Sequence, residues 1–333
     1  MADITFRQAL NDALREELQR DENVFLLGEE IGNFEGSYKI TAGLLKEFGP
    51  KRVVDTPISE NGFVGMATGA AMLGLRPIVE IMTINFTILA MDEIVNHAAK
   101  IYSMFGGQCA IPLVIRTPGG GGQQLSATHS QNLEVWFAHV PGLKVVAPST
   151  PADAKGLLRT SVADNNPVIF LENLALYNVK GPEPAADYTV PIGKANVTKE
   201  GTDITVISYS RMSAVALDVA RRLEEEQKVS VEVIDLRSLR PLDRDTLINS
   251  VQKTGRAIIF EEDWRTFGIG AELAAMLQEE AFDYLDAPIK RIGSLEVPLP
   301  YSKPLELAAL TGSKQLIEAI TELTPRRRRV SHV

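Results

Sequence analysis

Short runs of Val, Ile and Leu alternate with helical patterns along the first half of this chain, and this alternation constrains the fold more than any other feature. The runs are continuously apolar, which is typical of strands covered on both faces. Strands of that kind form a parallel sheet with helices on each side. We therefore predict an α/β fold, with strands at Val24–Gly28, Pro77–Met82, Pro112–Arg116, Leu143–Ala147 and Val168–Leu171.

A helix is predicted before the first strand at Phe6–Arg20, where apolar residues recur near the 3.6 period. Another is predicted between the last two strands at Pro151–Asp164, which follows a Ser-Thr cap. The periodicity then fades, and three prolines in VKGPEPAADYTVPIG indicate a linker. After it the alternation resumes, with strands at Ile204–Ser208, Val229–Asp235, Ala257–Glu261 and Pro288–Ile292 and helices at Ser213–Glu226, Asp243–Lys253, Ile269–Ala281 and Ser313–Leu323. We therefore predict two α/β domains, an N-terminal parallel-sheet domain (1–180) and a smaller C-terminal domain (203–325). A linker (181–202) joins them, and a basic tail (326–333) follows the second.

Composition excludes several classes of function. The chain has 34 basic and 43 acidic residues and a net charge of -9, which argues against nucleic acid as a general partner. A single cysteine, Cys109, excludes an internal disulfide and favours a reducing, cytoplasmic compartment. No run approaches the ~20 apolar residues of a membrane span, so no membrane association is expected. The basic run Arg326–Arg329 is interpreted as a solvated end.

The stretch VVDTPISENGFVGMATGAAMLGL is the most informative segment for function. A short strand ends at Val54, Ser59 is a plausible helix cap, and Glu60 falls in the first helical turn. Glycine is a poor helix former, so the many small residues that follow suggest that another backbone or a cofactor comes close. Acids in first turns often only complement the helix dipole, and that alternative stays open for Glu60.

A second candidate segment is TPGGGGQQLSATHSQ, in which four glycines follow a predicted strand. Such a loop can hold phosphate on its backbone, but no Gly-Lys-Ser/Thr follows, and a mobile active-site loop is an equal alternative. His129 closes the loop and is a candidate proton carrier, although a lone histidine often has no role. The acids Glu261 and Glu262 are predicted to face solvent or the domain seam and are weak candidates for a functional role.

DTPISENGFVGMATGAAMLGLRP, HSQNLEVWFAHVPGLKVVAPSTPADAKGLLRTSVADNNPV, PIGKA, VEVIDLRSLRPLD and PLPYSKPLE are long motifs distributed over nearly the whole chain. Together they resemble the beta subunits of the thiamine-diphosphate-dependent 2-oxo acid dehydrogenases, the pyruvate type above all. The resemblance implies that the N-terminal domain binds the cofactor's pyrimidine and that the C-terminal domain is of the transketolase type.

The resemblance also implies roles for individual residues. Glu60 matches the glutamate that hydrogen-bonds the cofactor's aminopyrimidine and promotes loss of the thiazolium proton. Phe86 matches the aromatic packed on that ring, and Met82 a neighbouring apolar contact. His129 matches a histidine thought to assist acetyl transfer to lipoyl groups. At position 89 this chain has Leu, whereas mammalian members have glutamine. The resemblance therefore does not predict the details of the channel wall at this position.

A structural potassium ion is implied by the resemblance as well. Its ligands in the family are largely main-chain carbonyls, which leave almost no signature in a sequence. The matching positions here are Leu113, Ser161, Val162, Asp164 and Asn166.

The motif GDG, with which family enzymes hold magnesium and the cofactor diphosphate, is absent from this sequence. In two-chain members it lies on the alpha subunit. The resemblance therefore implies an alpha2-beta2 heterotetramer, active only when assembled, that docks to a dihydrolipoyl acetyltransferase core and acts on pyruvate.

Several alternatives remain at this point. Acetoin and branched-chain 2-oxo acid dehydrogenases have similar beta subunits, and the single histidine of SATHSQ favours pyruvate over branched-chain substrates. A non-enzymatic assembly protein is compatible with the fold, since fold does not fix function. A nucleotide-dependent oxidoreductase is disfavoured because the dinucleotide fingerprint is missing.

Overall fold

The structure of the chain is a computed structural model that describes residues 3–324, so the basic tail predicted at 326–333 lies outside the described residues. The strands in chain order are β1 (Asp3–Thr5), β2 (Val24–Gly28), β3 (Val53–Asp55), β4 (Arg76–Glu80), β5 (Val114–Gly119), β6 (Lys144–Val146), β7 (Val168–Asn173), β8 (Lys180–Pro182), β9 (Asn196–Lys199), β10 (Ile204–Ser208), β11 (Val231–Asp235), β12 (Ser238–Arg240), β13 (Ala257–Trp264) and β14 (Lys290–Ser294).

The α-helices are α1 (Phe6–Arg20), α2 (Leu44–Phe48), α3 (Glu60–Met72), α4 (Ile101–Met104), α5 (Glu134–Ala138), α6 (Pro151–Ala163), α7 (Ser210–Gln227), α8 (Arg244–Thr254), α9 (Ile269–Glu280), α10 (Lys303–Ala309) and α11 (Ser313–Leu323). Short 3-10 turns lie at Ile84–Ala90, Leu174–Leu176 and Phe282–Tyr284, and a π-helical turn at Glu93–Ala98. No helix within residues 3–324 is long and apolar enough to cross a membrane.

A seven-stranded sheet in the order β12-β6-β7-β5-β4-β2-β3 forms the first of two compact units. All its neighbouring strands are parallel except the antiparallel pair β12 and β6. Val, Ile and Leu of the central strands are buried, because helices cover the sheet. Helix α1 packs on α6, and their apolar residues, Leu10 and Leu157 among them, share one core with β2 and β7.

The two long helices of this unit begin at side-chain caps. The Thr5 hydroxyl accepts a hydrogen bond from the Gln8 N–H at 3.1 Å and starts α1. The Thr150 hydroxyl accepts from the Asp153 N–H at 3.1 Å and starts α6, whose first residue is Pro151. The cap expected from Ser59 is not formed, since its hydroxyl makes no capping hydrogen bond at α3.

The second unit is a five-stranded sheet in the order β14-β13-β10-β11-β9, parallel except for β9. Its core joins β10, β11, β13 and β14 to α7 and α11. Glu261 and Glu262 do not face solvent, so that part of the prediction is wrong: both side chains are buried. Burial, together with the charges of Glu261 and Glu262, raises the pKa of Asp263 to about 7.

The division into units departs from contiguous sequence segments. The first unit runs to Lys194 and also includes Arg237–Leu242 and Val297–Ala309. Arg237–Leu242 belongs there because β12 pairs with β6. The predicted linker includes most of β8, which pairs with β1, and all of β9, which adds an edge to the second sheet. Part of the segment is therefore ordered by strand pairing.

Candidate active site

The candidate residues of the first unit lie at the carboxyl edge of its sheet. Strands β3, β2, β4 and β5 are parallel neighbours, so the segments that follow them meet at one edge. These segments carry Glu29 after β2, Glu60 after β3, Met82 after β4 and the glycine-rich loop after β5. The carboxyl edge is where open α/β sheets bind ligands.

Glu60 is the first residue of α3, and only 4% of it is exposed. The carboxyl of Glu29, 5% exposed, lies against it. Burial, together with the charge and hydrogen bond of Glu60, raises the pKa of Glu29 to about 7. Glu29 can therefore keep its proton up to near neutral pH while it is hydrogen-bonded to Glu60. Sequence reasoning missed Glu29, and the available signal was an acid directly after the buried strand VFLLG.

The close neighbour expected from the small residues of α3 is found at some of its glycines but not at all of them. A Cβ on Gly65 would lie 3.1 Å from the carboxyl of Glu93, so a larger side chain would crowd that acid. A Cβ on Gly62 would lie 2.9 Å from the Ser59 hydroxyl, whereas one on Gly69 would meet nothing within 4 Å. Helix α3 packs against the turns Ile84–Ala90 and Glu93–Ala98.

Phe86 and His129, two residues singled out from the sequence, are in contact. Their ring centroids are 5.3 Å apart at an interplanar angle of 90°, the edge-to-face geometry that aromatic rings prefer. Asn85 fixes this contact, because its Oδ1 accepts from the backbone N–H of Gln131 at 3.2 Å and from its side-chain amide at 3.0 Å. Met82 is half-buried after β4.

The glycine-rich loop holds a carboxylate of this chain. The N–H groups of Gly122 and Gln124 donate to the side chain of Glu306, which is completely buried in α10. These two backbone donors therefore face Glu306, and the phosphate-binding alternative loses its support. The structure also places the first glycine, Gly119, inside β5, which runs further than predicted because it pairs with Asn173.

A buried charge network ties together three strands of the same sheet. Arg116 of β5, 2% exposed, forms ion pairs at 2.7 Å with Glu80 of β4 and at 2.7 Å with Glu172 of β7. The Tyr177 hydroxyl donates to Glu172 at 2.7 Å. Burial alone would lower the pKa of Arg116, but Glu172 and Glu80 outweigh it and raise that pKa.

Burial also acts on the partners of Arg116. It raises the pKa of Glu172, since the charge of Arg116 opposes it only partly, and it raises the pKa of Tyr177 well above its usual value. Sequence reasoning missed the network. Its signal was one charged residue inside each apolar run of PIVEIM, PLVIR and VIFLE.

The residues implied to hold potassium gather around the end of α6 and the start of β5: Leu113, Ser161, Val162, Asp164 and Asn166. The Arg76 guanidinium donates to the carbonyl of Val162 at 2.9 Å and to that of Asp164 at 3.2 Å. Backbone N–H groups donate to the carbonyls of Ser161 at 3.3 Å and Leu113 at 2.8 Å. Each of these four carbonyls thus accepts a hydrogen bond from within the chain, and Arg76 supplies positive charge to two of them.

Asp92, Glu93 and His97 are the group of possible metal ligands found within residues 3–324, with ligand atoms within 4.8 Å of one another. His97 Nδ1 lies 2.8 Å from Glu93, so these two side chains already pair with each other. Asp92 and His97 are exposed, and exposed acids commonly cluster without a metal.

Comparison with known proteins places this geometry in a class. Residues 2–180 match the transketolase pyrimidine-binding domain family, and residues 193–316 match the transketolase C-terminal domain family. A solved structure described as "Split gene transketolase, inactive beta4 tetramer" has a TM-score of 0.79 at 23% identity, covers 96% of this chain and 98% of that chain, and shows the shared fold. The class is thus the transketolase-type, thiamine-diphosphate-dependent proteins, and the predicted two-domain α/β fold is confirmed.

Two named relatives narrow the class. The pyruvate dehydrogenase E1 component subunit beta of Rickettsia felis is 50% identical over 320 residues, 96% of this chain and 98% of that protein. The mitochondrial subunit of the same name from Dictyostelium discoideum is 47% identical over 328 residues, 97% of this chain and 92% of that protein. The chain belongs to the family of pyruvate dehydrogenase E1 beta subunits, which confirms the resemblance found in its motifs.

Proposed function

We propose that this chain is the pyrimidine-binding half of a pyruvate dehydrogenase active site. With an alpha subunit, in an alpha2-beta2 heterotetramer, it catalyses oxidative decarboxylation of pyruvate and reductive acetylation of lipoyl groups. The observation that carries the proposal is the buried Glu29–Glu60 pair at the carboxyl edge of the sheet. The family membership of the whole chain supports it.

The described residues suit the pyrimidine half of thiamine diphosphate. Buried polar atoms without a hydrogen-bond partner among residues 3–324 include Glu29 Oε1, Thr117 Oγ1 and Ser130 Oγ, all on segments at this edge. Such atoms are costly unless a ligand or water satisfies them. When bound, the cofactor supplies the electron sink that decarboxylation of a 2-oxo acid requires.

The residues of this chain act on the cofactor ring by holding a proton and by packing. With the cofactor bound, Glu60 would hydrogen-bond a ring nitrogen of the aminopyrimidine, and Glu29 would keep a proton available beside that carboxyl. Phe86, whose ring lies edge-on against His129, would pack on the cofactor ring. Met82 would add an apolar contact to the same ring.

The later half of the reaction involves His129 and the assembly. In this proposal His129 assists acetyl transfer to the lipoyl group, and the C-terminal domain docks to the dihydrolipoyl acetyltransferase core. We assign magnesium and the diphosphate to the alpha subunit, since this sequence has no GDG motif with which to hold them. A structural potassium ion at the end of α6 and a cytoplasmic location complete the proposal.

Reconstitution with an alpha subunit tests the substrate. The assembly is given magnesium, thiamine diphosphate and one of three substrates: pyruvate, acetoin or a branched-chain 2-oxo acid. Pyruvate is expected to give the highest kcat/KM. A higher value with acetoin or with the branched-chain acid would replace pyruvate as the substrate and leave the family membership intact.

A further inference from the structure

We infer that Glu306 is a positioning residue that fixes the glycine-rich loop, and through it His129, for acetyl transfer. The inference rests on the role proposed above for His129. Glu306 lies in α10, far from the loop in sequence, and belongs to the same compact unit.

Both oxygens of the Glu306 carboxylate accept hydrogen bonds from the glycine-rich loop. Its Oε1 accepts from the N–H of Gly122 at 2.9 Å and from that of Gln124 at 3.2 Å, and its Oε2 accepts from Gln124 at 3.1 Å. The side chain has no exposed surface. Hydrogen bonds from N–H groups to a carboxylate are charge-assisted and shielded here from water, so they hold the loop more firmly than neutral bonds.

The loop needs such an anchor because its backbone is strained. Gln124 and Ser126 have φ values of +57° and +67°, in the left-handed region that residues with a side chain rarely adopt. Strained conformations persist only where the surroundings hold them. Glu306 binds directly at Gln124, one of the two strained positions.

The part of the loop that Glu306 holds is connected to His129 by further contacts. The His129 N–H donates to the Ser126 carbonyl at 3.3 Å, and the His129 ring packs edge-on against Phe86. Beyond it, Gln131 is held by Asn85. His129 therefore lies between two anchors, Glu306 on one side and Asn85 on the other.

Glu306→Gln tests the hydrogen bonds to the loop separately from packing. Glutamine has the same size but replaces one acceptor oxygen by an NH2 group, which cannot accept. Glu306→Ala removes the anchor altogether. We expect kcat for acetyl transfer to a lipoyl domain to fall about tenfold in Glu306→Gln and up to about a hundredfold in Glu306→Ala, as for a misplaced reacting group. Decarboxylation assayed with an artificial electron acceptor bypasses this step and is expected to change far less.

The experiment uses the reconstituted heterotetramer with wild-type chain, both Glu306 variants, His129→Ala and, as control, Glu22→Gln, an exposed acid elsewhere in the unit. Hydrogen exchange of peptides spanning residues 119–131 is measured beside the two rates. Faster exchange confined to that segment, with selective loss of acetyl transfer and a non-additive Glu306→Gln/His129→Ala double variant, supports the inference.

Two contrary outcomes are distinguishable. Unchanged exchange in residues 119–131 for both Glu306 variants overturns the inference, as does normal acetyl transfer in them while His129→Ala is impaired. Normal acetyl transfer in His129→Ala overturns the proposed role of His129, and with it the catalytic part of this inference, while hydrogen exchange still reports whether Glu306 fixes the loop.

Discussion

The carboxyl of Glu29 lies against that of Glu60 at the carboxyl edge of the first sheet, and the pKa of Glu29 is raised to about 7. Glu60 is positioned by the start of α3 and Glu29 by the end of β2, so two adjacent parallel strands create the pair. A carboxyl with a pKa near neutrality can hold and release a proton at working pH, which is the property that acid–base chemistry on a cofactor ring requires.

Glu29→Gln is expected to change the pH dependence of folding. The folded chain binds the Glu29 proton more tightly than the unfolded chain, whose carboxyl titrates near 4.5. Between pH about 4.5 and about 7 the folded state therefore holds more protons, and stability falls as pH rises. The variant should lack this loss, which we expect to be about 1–2 kcal/mol after solvent screening. Urea unfolding at pH 5 and pH 8 measures the free energy of unfolding of both proteins. An equal change in that free energy between the two pH values, in wild type and variant, would contradict the raised pKa of Glu29.

Glu60→Gln is expected to lower pyruvate decarboxylation by the reconstituted heterotetramer about 10²–10⁴-fold, as for loss of a general acid–base group. Folding and assembly should persist, because glutamine keeps the size of the side chain. Glu22→Gln, an exposed acid just before β2, is the matched control and should retain full activity. Substantial activity in Glu60→Gln would remove the catalytic assignment even if the family membership stands.

Arg116→Met is expected to destabilise the first unit by about 3–5 kcal/mol, because it leaves Glu80 and Glu172 buried without their cation. Adding Glu172→Gln should recover part of that loss, since it removes one of the two uncompensated charges. Chemical unfolding of the single and double variants provides the measurement. A fully additive pair would show that Arg116 and Glu172 do not stabilise each other.

Potassium is expected to raise the melting temperature of the purified chain relative to an equal concentration of a bulky organic cation, if the ion binds at the end of α6. Arg76 contributes charge to the same carbonyls, so Arg76→Met should lose stability and become more dependent on potassium. Scanning calorimetry in the two salts measures both effects. Identical melting temperatures in the two salts would exclude the potassium site.

Local sequence patterns predicted the bounds of helices and strands well where the bounds are set by residues of the segment itself. Helix α1 at Phe6–Arg20 and strand β2 at Val24–Gly28 match the predicted bounds, because periodicity and caps lie within the segment itself. Strand β5 ran three residues beyond the prediction because pairing with β7 continues into the first glycine, which no local pattern reveals.

Contacts between distant segments could not be predicted. Gly122 and Glu306 are separated by 184 positions, and the pair Glu29–Glu60 depends on two strands lying side by side. Glu60 stood out because its helix is rich in small residues, whereas Glu29 followed an ordinary buried strand. Its raised pKa arises from burial and from Glu60, and neither is visible before the chain folds.

The rate of carbon dioxide release from pyruvate, with thiamine diphosphate and magnesium, tests the central claim that this chain carries half of an active site. The account predicts no release above background from the purified chain alone and full activity when an alpha subunit carrying GDG is added. Release from the chain alone, at a rate that the alpha subunit does not increase, would contradict the account.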